Sequence, residues 1–291
     1  PLPAYVSGAG GLALSATRTF TINDSASVGA SAPELTVAVP ITGSFGIDFY
    51  GMNTASTQVH TFTLSNNTND YTGATTVFNS NYNNTGYTGV ATILRLGASN
   101  VIPNGASAGN VGFASNGTNP NNIVRLDLAS FSETINGLSV GAGANANITN
   151  SVAGDSTLTI GDNNTTSSFE GTITNTTGTL AITKIGSGTL NLSGANTYSG
   201  GTLVSQGVLR TGAAGALPSE GNLTTTANGV LDLFGNSQTV RHLSSPASTL
   251  ANSMGFVTNS AASTSTLLVA GTSATDVTNT GDVTFGLTLA D

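Results

Sequence analysis

Apolar residues recur along this chain in short runs at every second position, with polar residues between them. Thr19-Phe20-Thr21-Ile22, Leu35-Thr36-Val37-Ala38-Val39, Thr157-Leu158-Thr159-Ile160 and Thr189-Leu190-Asn191-Leu192 all follow this rule. A period of two places the apolar members on one face of a strand. Turn formers such as Gly161-Asp162-Asn163 close the runs, because Gly and Asn tolerate the backbone of tight corners. No long window carries apolar residues at i, i+3, i+4 and i+7, the spacing of an amphipathic helix. The pattern predicts an all-β chain.

The order of the runs repeats. Leu64-Ser65 leads to Tyr71-Thr72-Gly73-Ala74-Thr75-Thr76-Val77, as Leu192-Ser193 leads to Tyr198-Ser199-Gly200-Gly201-Thr202-Leu203-Val204. Leu94-Arg95-Leu96-Gly97-Ala98 with Pro103 matches Leu209-Arg210-Thr211-Gly212-Ala213 with Pro218. Val124-Arg125-Leu126-Asp127-Leu128 answers Gly229-Val230-Leu231-Asp232-Leu233, and Ile148-Thr149-Asn150-Ser151 answers Val257-Thr258-Asn259-Ser260. The offset is widest between Tyr71 and Tyr198, narrower between Leu94 and Leu209 and narrowest between Asp127 and Asp232. Loop lengths therefore drift while strand order persists. Thr19-Phe20-Thr21-Ile22-Asn23-Asp24 resembles Thr157-Leu158-Thr159-Ile160-Gly161-Asp162. Residues 1–40 thus read as the tail of a preceding copy, 41–165 as a first full copy with long insertions and 166–291 as a second. Variable loops on a constant ladder suit a solenoid, in which each coil touches only its neighbours.

Composition narrows the function classes. Ser, Thr, Asn and Gly (33, 47, 31 and 37) make up about half of the 291 residues, and only 7% are charged. The hydrophobic share of 38% still supplies a core. Six Lys and Arg, spread singly within a net charge of −8, cannot neutralise a run of phosphates or hold an anionic bilayer, so neither nucleic acid nor membrane is an expected partner. No apolar run approaches the ~20 residues of a spanning helix. Absence of Cys removes disulfides and thiolate chemistry. The opening PLPAYVSGAGG has no Met or positive n-region and reads as a mature product or an excised segment.

The second copy carries the string AITKIGSGTLNLSGANTYSGGTLVSQGVLRTG over residues 181–212. Lys184, Gly186, Gly188, Thr189, Leu190, Leu192, Ser193 and Gly194 are followed by Asn196, Thr197, Tyr198, Gly200, Gly201, Thr202, Gly207 and Leu209. This string resembles the autotransporter-associated β-strand repeat of bacterial surface passengers. The first copy departs from it: the Lys-x-Gly-x-Gly segment is missing before Leu64, and residues 78–92 hold an insertion rich in Asn, Tyr and Thr. The resemblance implies a right-handed parallel β-helix, a single elongated rod on an exported surface protein. At roughly 20 to 24 residues per coil the chain would form about 13 coils, a rod of roughly 60 Å at the spacing of paired strands.

Several residues invite a chemical reading. Arg125, Asp127 and Glu133 make a tight cluster of mixed charge, of the kind a polysaccharide-cleaving β-helix needs for general acid and base work. Asp127, however, recurs as Asp232 in the Leu-Asp-Leu of the next copy, as a turn or stacking residue would. His60 and His242 are expected as solvated residues at coil corners. Asp155, Asp162 and Glu170 are too widely spaced for a calcium loop. Ten Asn-x-Ser/Thr sequons, including Asn23, Asn66, Asn83, Asn116 and Asn222, match what the composition gives by chance. Thr-x-Thr pairs at 19/21, 61/63, 157/159 and 172/174 raise an ordered surface lattice as a minor alternative, broken where Leu268 replaces the equivalent of Thr159.

No catalytic, cofactor-binding or metal-binding residue is therefore expected. The chain reads as a non-catalytic extracellular structural or adhesive rod. Strand-like residues 281–289 and the lack of capping segments point to axial stacking on itself or on flanking repeats. Asn- and Tyr-bearing insertions at 78–92 and 104–122 are the expected contact loops, with glycans or other cell surfaces as partners. The alternatives are a polysaccharide-active enzyme and a glycan-binding module.

Overall fold

The computed structural model describes residues 4–23, 34–52, 59–80, 90–116, 122–245, 256–271 and 277–279. Asn83, most of the 78–92 insertion, 117–121 and the 281–289 run lie outside them. Among the described residues all regular structure is strand, and every strand pairing is parallel. The chain winds as a three-sided coil. One face stacks Ala4–Val6, Glu34–Val37, Val59–Leu64, Ala91–Leu96, Ile123–Asp127, Asn145–Asn150 and Thr172–Asn175. It continues through Thr197, which donates to Ile173 O, and Leu217, to Gln238–Val240 and Leu267–Val269.

A second face runs from Leu12–Leu14 and Ile41–Gly43 across the irregular segments at Asn69 and Val101 to Glu133–Ile135, Asp155–Ile160 and Thr179–Lys184. The N-terminal halves of Thr202–Thr211 and Asn222–Asp232, then His242–Ser245 and Val277–Asn279, complete it. The third stacks Arg18–Asn23, Ile47–Met52, Thr75–Ser80, Val111–Ser115 and Leu138–Val140. Ser167–Phe169, Thr189–Leu192, the C-terminal halves of the two long strands and Phe256–Thr258 follow.

Alternation dictates what lies inside. Phe62, Leu94, Leu126, Ile148 and Ile173 share one register column and are buried, as are Leu190, Leu209 and Leu231 on another face. Like stacks on like at the strand spacing, so one column of aliphatic side chains fills the bore as a continuous core. Coils vary in length. One turn takes the chain from Ile182 only as far as Thr202, but from Phe62 to Leu94 and from Leu243 to Val277 elsewhere. Among the described residues the first face thus has eleven levels, and the rod they form is about 50 Å long. Insertions lengthen coils at their corners without adding levels.

The sequence repeat is not a whole number of coils. Val59–Leu64, on the first face, has its equivalent in Thr189–Leu192, four coils on and on the third face. Ala91–Leu96 and the C-terminal half of Thr202–Thr211 are related in the same way, as are Glu133–Ile135 and Gln238–Val240. Arg18–Asn23 and Asp155–Ile160 show this displacement too. Each copy is consequently turned by one face relative to the one before it, a third of a turn on a three-sided rod. The four Thr-x-Thr pairs fall on three different faces and build no common lattice.

Candidate functional site

The charged residues singled out in the sequence do not form one cluster. Asp127 ends the strand Ile123–Asp127 and is bonded to Arg95, one coil earlier, with Nε to Oδ2 at 2.9 Å. Its Oδ1 accepts from the amides of Ala129 and Ser151, both at 3.1 Å, and its Oδ2 also accepts from Ser151 Oγ at 2.7 Å. Arg125 points its Nε to Asn147 Oδ1 instead. Glu133 lies on the second face, where Oε2 and Oε1 accept from the amides of Val101 and Ile102 at 3.0 Å. Nearness in sequence misled here because the coil turns a corner between Asp127 and Glu133.

The Asp127 arrangement recurs bond for bond. Asp232 accepts from Arg210 Nε at 3.0 Å, from the amides of Phe234 and Ser260, and from Ser260 Oγ at 2.7 Å. Each bracket ties three successive coils together at a corner. Burial alone would raise the Asp232 carboxyl, but the bonds from Ser260, Phe234 and Arg210 outweigh it and hold the group below its usual range. Asn150 and Asn259 cap the same corners, accepting from the amides of Ser130 and Gly235.

The motif residues serve the same purpose. Tyr71 and Tyr198 are buried, and each phenol meets a threonine hydroxyl four residues on, Thr75 or Thr202, at 2.6 Å. Burial pushes both phenols well above their ordinary pKa. Asn69 and Asn196 bridge three coils, accepting from Ile41 N and Ile173 N and donating to Val101 O and Ala216 O. Lys184 stands in an inward column between Ile160 and Val204, and its Nζ donates to the carbonyls of Ile185, Gly186 and Gln206. Desolvation lowers its pKa to about 8. Gly186 has φ +70°, and a Cβ there would stand 2.0 Å from Gly161 O, so the motif's glycine is demanded by the corner Lys184 braces.

Glu133 is 1% exposed, and burial raises its carboxyl to about 8 against the pull of the amides it accepts from. The equivalent residue is Gln238, whose Oε1 accepts from Leu217 N and whose Nε2 donates to Ala213 O. A neutral amide thus stands in the second copy where the first holds a carboxyl. His60 is not the solvated corner residue expected: it is fully buried, in space left by Gly51, whose added Cβ would lie 2.8 Å from the ring. His242 is half-buried at the start of His242–Ser245. Asp155 accepts from Thr179 Oγ1 at 2.7 Å. Among the described residues no three His, Asp or Glu side chains gather as a metal-binding group.

A groove of about 540 Å³ runs along the third face, within the range of small-ligand sites. Thr166, Ser167 and Ser168 lie at one level, Thr189 and Asn191 at the next, then Arg210 and Gly212, then Phe234 and Asn236. The Arg210 guanidinium sits 4.3 Å from the centre of the Phe234 ring. Asn191 donates to Ser168 Oγ and Ser193 Oγ, while its Oδ1 is buried without a partner. Sequence reading passed over this groove, though one signal was available: Phe234 stands in place of Ala129 directly after the Leu-Asp-Leu that the two copies share.

Comparison with known proteins follows the same residues. A family model described as Passenger-associated-transport-repeat matches residues 61–80 and 182–210. The chain is 32% identical over 154 residues to a protein named Adhesin BmaC autotransporter from Brucella suis biovar 1 (strain 1330). That match covers 52% of this chain and 4% of the adhesin's length. No solved structure matches. The chain thus carries two matches to the passenger-associated transport repeat, one in each full copy, over the Tyr71 and Tyr198 segments.

Proposed function

We infer that this chain is a non-catalytic rod segment of a bacterial surface passenger, and that its work is mechanical and adhesive. The observation that carries the reading is the repeated corner bracket. Arg95, Asp127 and Ser151, like Arg210, Asp232 and Ser260, are committed to joining successive coils. The passenger repeat supports an exported, surface or secreted location, and similarity to a protein named as an adhesin supports contact with other surfaces. Parallel ladders extend by pairing with more β structure, so the expected axial partner is a further set of coils, in a longer chain or a second copy.

The carboxylates fit this reading better than an acid–base pair. Four donors surround the two oxygens of Asp127, and the position of Glu133 is taken in the second copy by Gln238, which has no acid–base function. Beads coated with the purified protein should adhere to cultured cell monolayers, and Glu133→Gln should leave that adhesion intact. Release of reducing ends from any polysaccharide, lost in both Asp127→Asn and Glu133→Gln, would replace this reading with the enzymatic one.

A further inference from the structure

Phe234 is costly where it stands. Its ring is 43% exposed and its backbone lies in the left-handed region at φ +43°, which a bulky side chain seldom adopts. The turn does not require the ring. Ala129 makes the same turn at φ +49°, with the same amide bond to the preceding aspartate. An outlier that the fold can build with alanine calls for another explanation.

The surroundings supply one. Arg210 is anchored by Nε to Asp232, while its terminal nitrogens have no partner among the described residues and flank the Phe234 ring. A guanidinium so fixed presents a planar pair of donors suited to a carboxylate. Ser167, Ser168 and Thr189 line the groove with hydroxyls, beside the amide of Asn191. Among the described residues no acidic side chain lines the groove. Its four levels run about 14 Å along the axis at the strand spacing, so an extended ligand would lie parallel to the rod.

We propose that this groove binds an acidic saccharide, with a uronic-acid carboxylate on the Arg210 terminal nitrogens, a sugar C–H face against Phe234 and sugar hydroxyls on Ser167, Ser168 and Thr189. Aromatic rings pack the apolar face of a sugar while amides and hydroxyls take its polar rim. The proposal deepens the adhesive reading and rests on it. The first copy supplies an internal contrast: Ala129 and Thr63 occupy the positions of Phe234 and Asn191, so one site per chain is expected among the described residues.

The test is titration calorimetry on the whole chain with glucuronate- and galacturonate-containing oligosaccharides and their neutral counterparts. The acidic forms should bind at least tenfold more tightly. Phe234→Ala should weaken binding at least tenfold with an unchanged unfolding midpoint, since Ala129 shows that alanine fits the turn. Arg210→Lys, which keeps the charge and loses the planar donors, should abolish the acidic preference. Equal binding of neutral and acidic forms, or binding untouched by Phe234→Ala, overturns the proposal, as does no binding at all. Coated beads separate the two claims. Adhesion equal for the native chain and Phe234→Ala, without saccharide binding, removes the groove and leaves the adhesive reading. No adhesion by either removes that reading as well.

Discussion

Replacing Glu133 with glutamine tests whether its buried carboxyl is an architectural element. In the folded chain the group titrates at about 8 rather than its ordinary 4.5, chiefly because burial disfavours its charge. A folded pKa above the unfolded one gives stability that is complete below about 4.5 and is lost as pH rises through about 8. Each pH unit between the two values corresponds to ~1.4 kcal/mol, so the full loss is on the order of 5 kcal/mol above pH 8. Glutamine is neutral throughout. Placed as Gln238 is, it keeps an acceptor for Ile102 N and turns its amide towards Ala98 O, leaving Val101 N unpaired, a cost of about 1–2 kcal/mol. Glu133→Gln should therefore be slightly less stable than the native chain at pH 4.5 and more stable by roughly 3 kcal/mol at pH 8. The curves should cross between them. Urea unfolding followed by far-ultraviolet circular dichroism is the assay, because the chain has no tryptophan. Lys184 works in another window: its folded pKa, lowered to about 8 from 10.5, contributes stability above 10.5 that is lost as pH falls through about 8. Identical pH slopes for native and Glu133→Gln chains between 4.5 and 8 would refute the reasoning.

Asp127→Asn and Asp232→Asn should each cost about 3 kcal/mol in urea unfolding, because each leaves a bracket arginine facing an amide; widely different costs would show that the two brackets are not equivalent. Lys184→Met should destabilise by roughly 3 kcal/mol or more, since the carbonyls of Ile185, Gly186 and Gln206 lose their shared donor; unchanged resistance to thermolysin would count against it. Tyr71→Phe and Tyr198→Phe should cost about 1–2 kcal/mol each by leaving a buried threonine hydroxyl unpaired, as thermal midpoints would show. Gly186→Ala should fail to fold or lose ~3 kcal/mol, because its Cβ meets Gly161 O in a left-handed corner; native-like dichroism with an unchanged midpoint would contradict this.

Period-two alternation and the recurring Leu-Asp-Leu and Tyr-x-Gly segments were enough for an all-β, coil-stacked chain, while the parallel β-helix was implied by the resemblance of residues 181–212 to a surface-passenger repeat. These signals are local: a strand's inward face is written in every second residue, and a corner in its Gly and Asn. Even the structural role of Asp127 was legible, because its return as Asp232 is a sequence fact. The partners were not. Arg95 and Ser151 reach Asp127 from neighbouring coils on either side, and which residues meet there depends on how much chain each coil spends at its corners. Coils as short as Ile182 to Thr202 and as long as Leu243 to Val277 hide the period, so neither the eleven described levels nor the rotation of each copy by one face could be counted from spacing. The same winding buried His60 against Gly51, separated Glu133 from Asp127 and assembled the groove. Thr166, Asn191, Arg210 and Phe234 come from four coils. Only axial stacking, which sets positions one full coil apart in sequence some ~4.8 Å apart in space, makes them one surface.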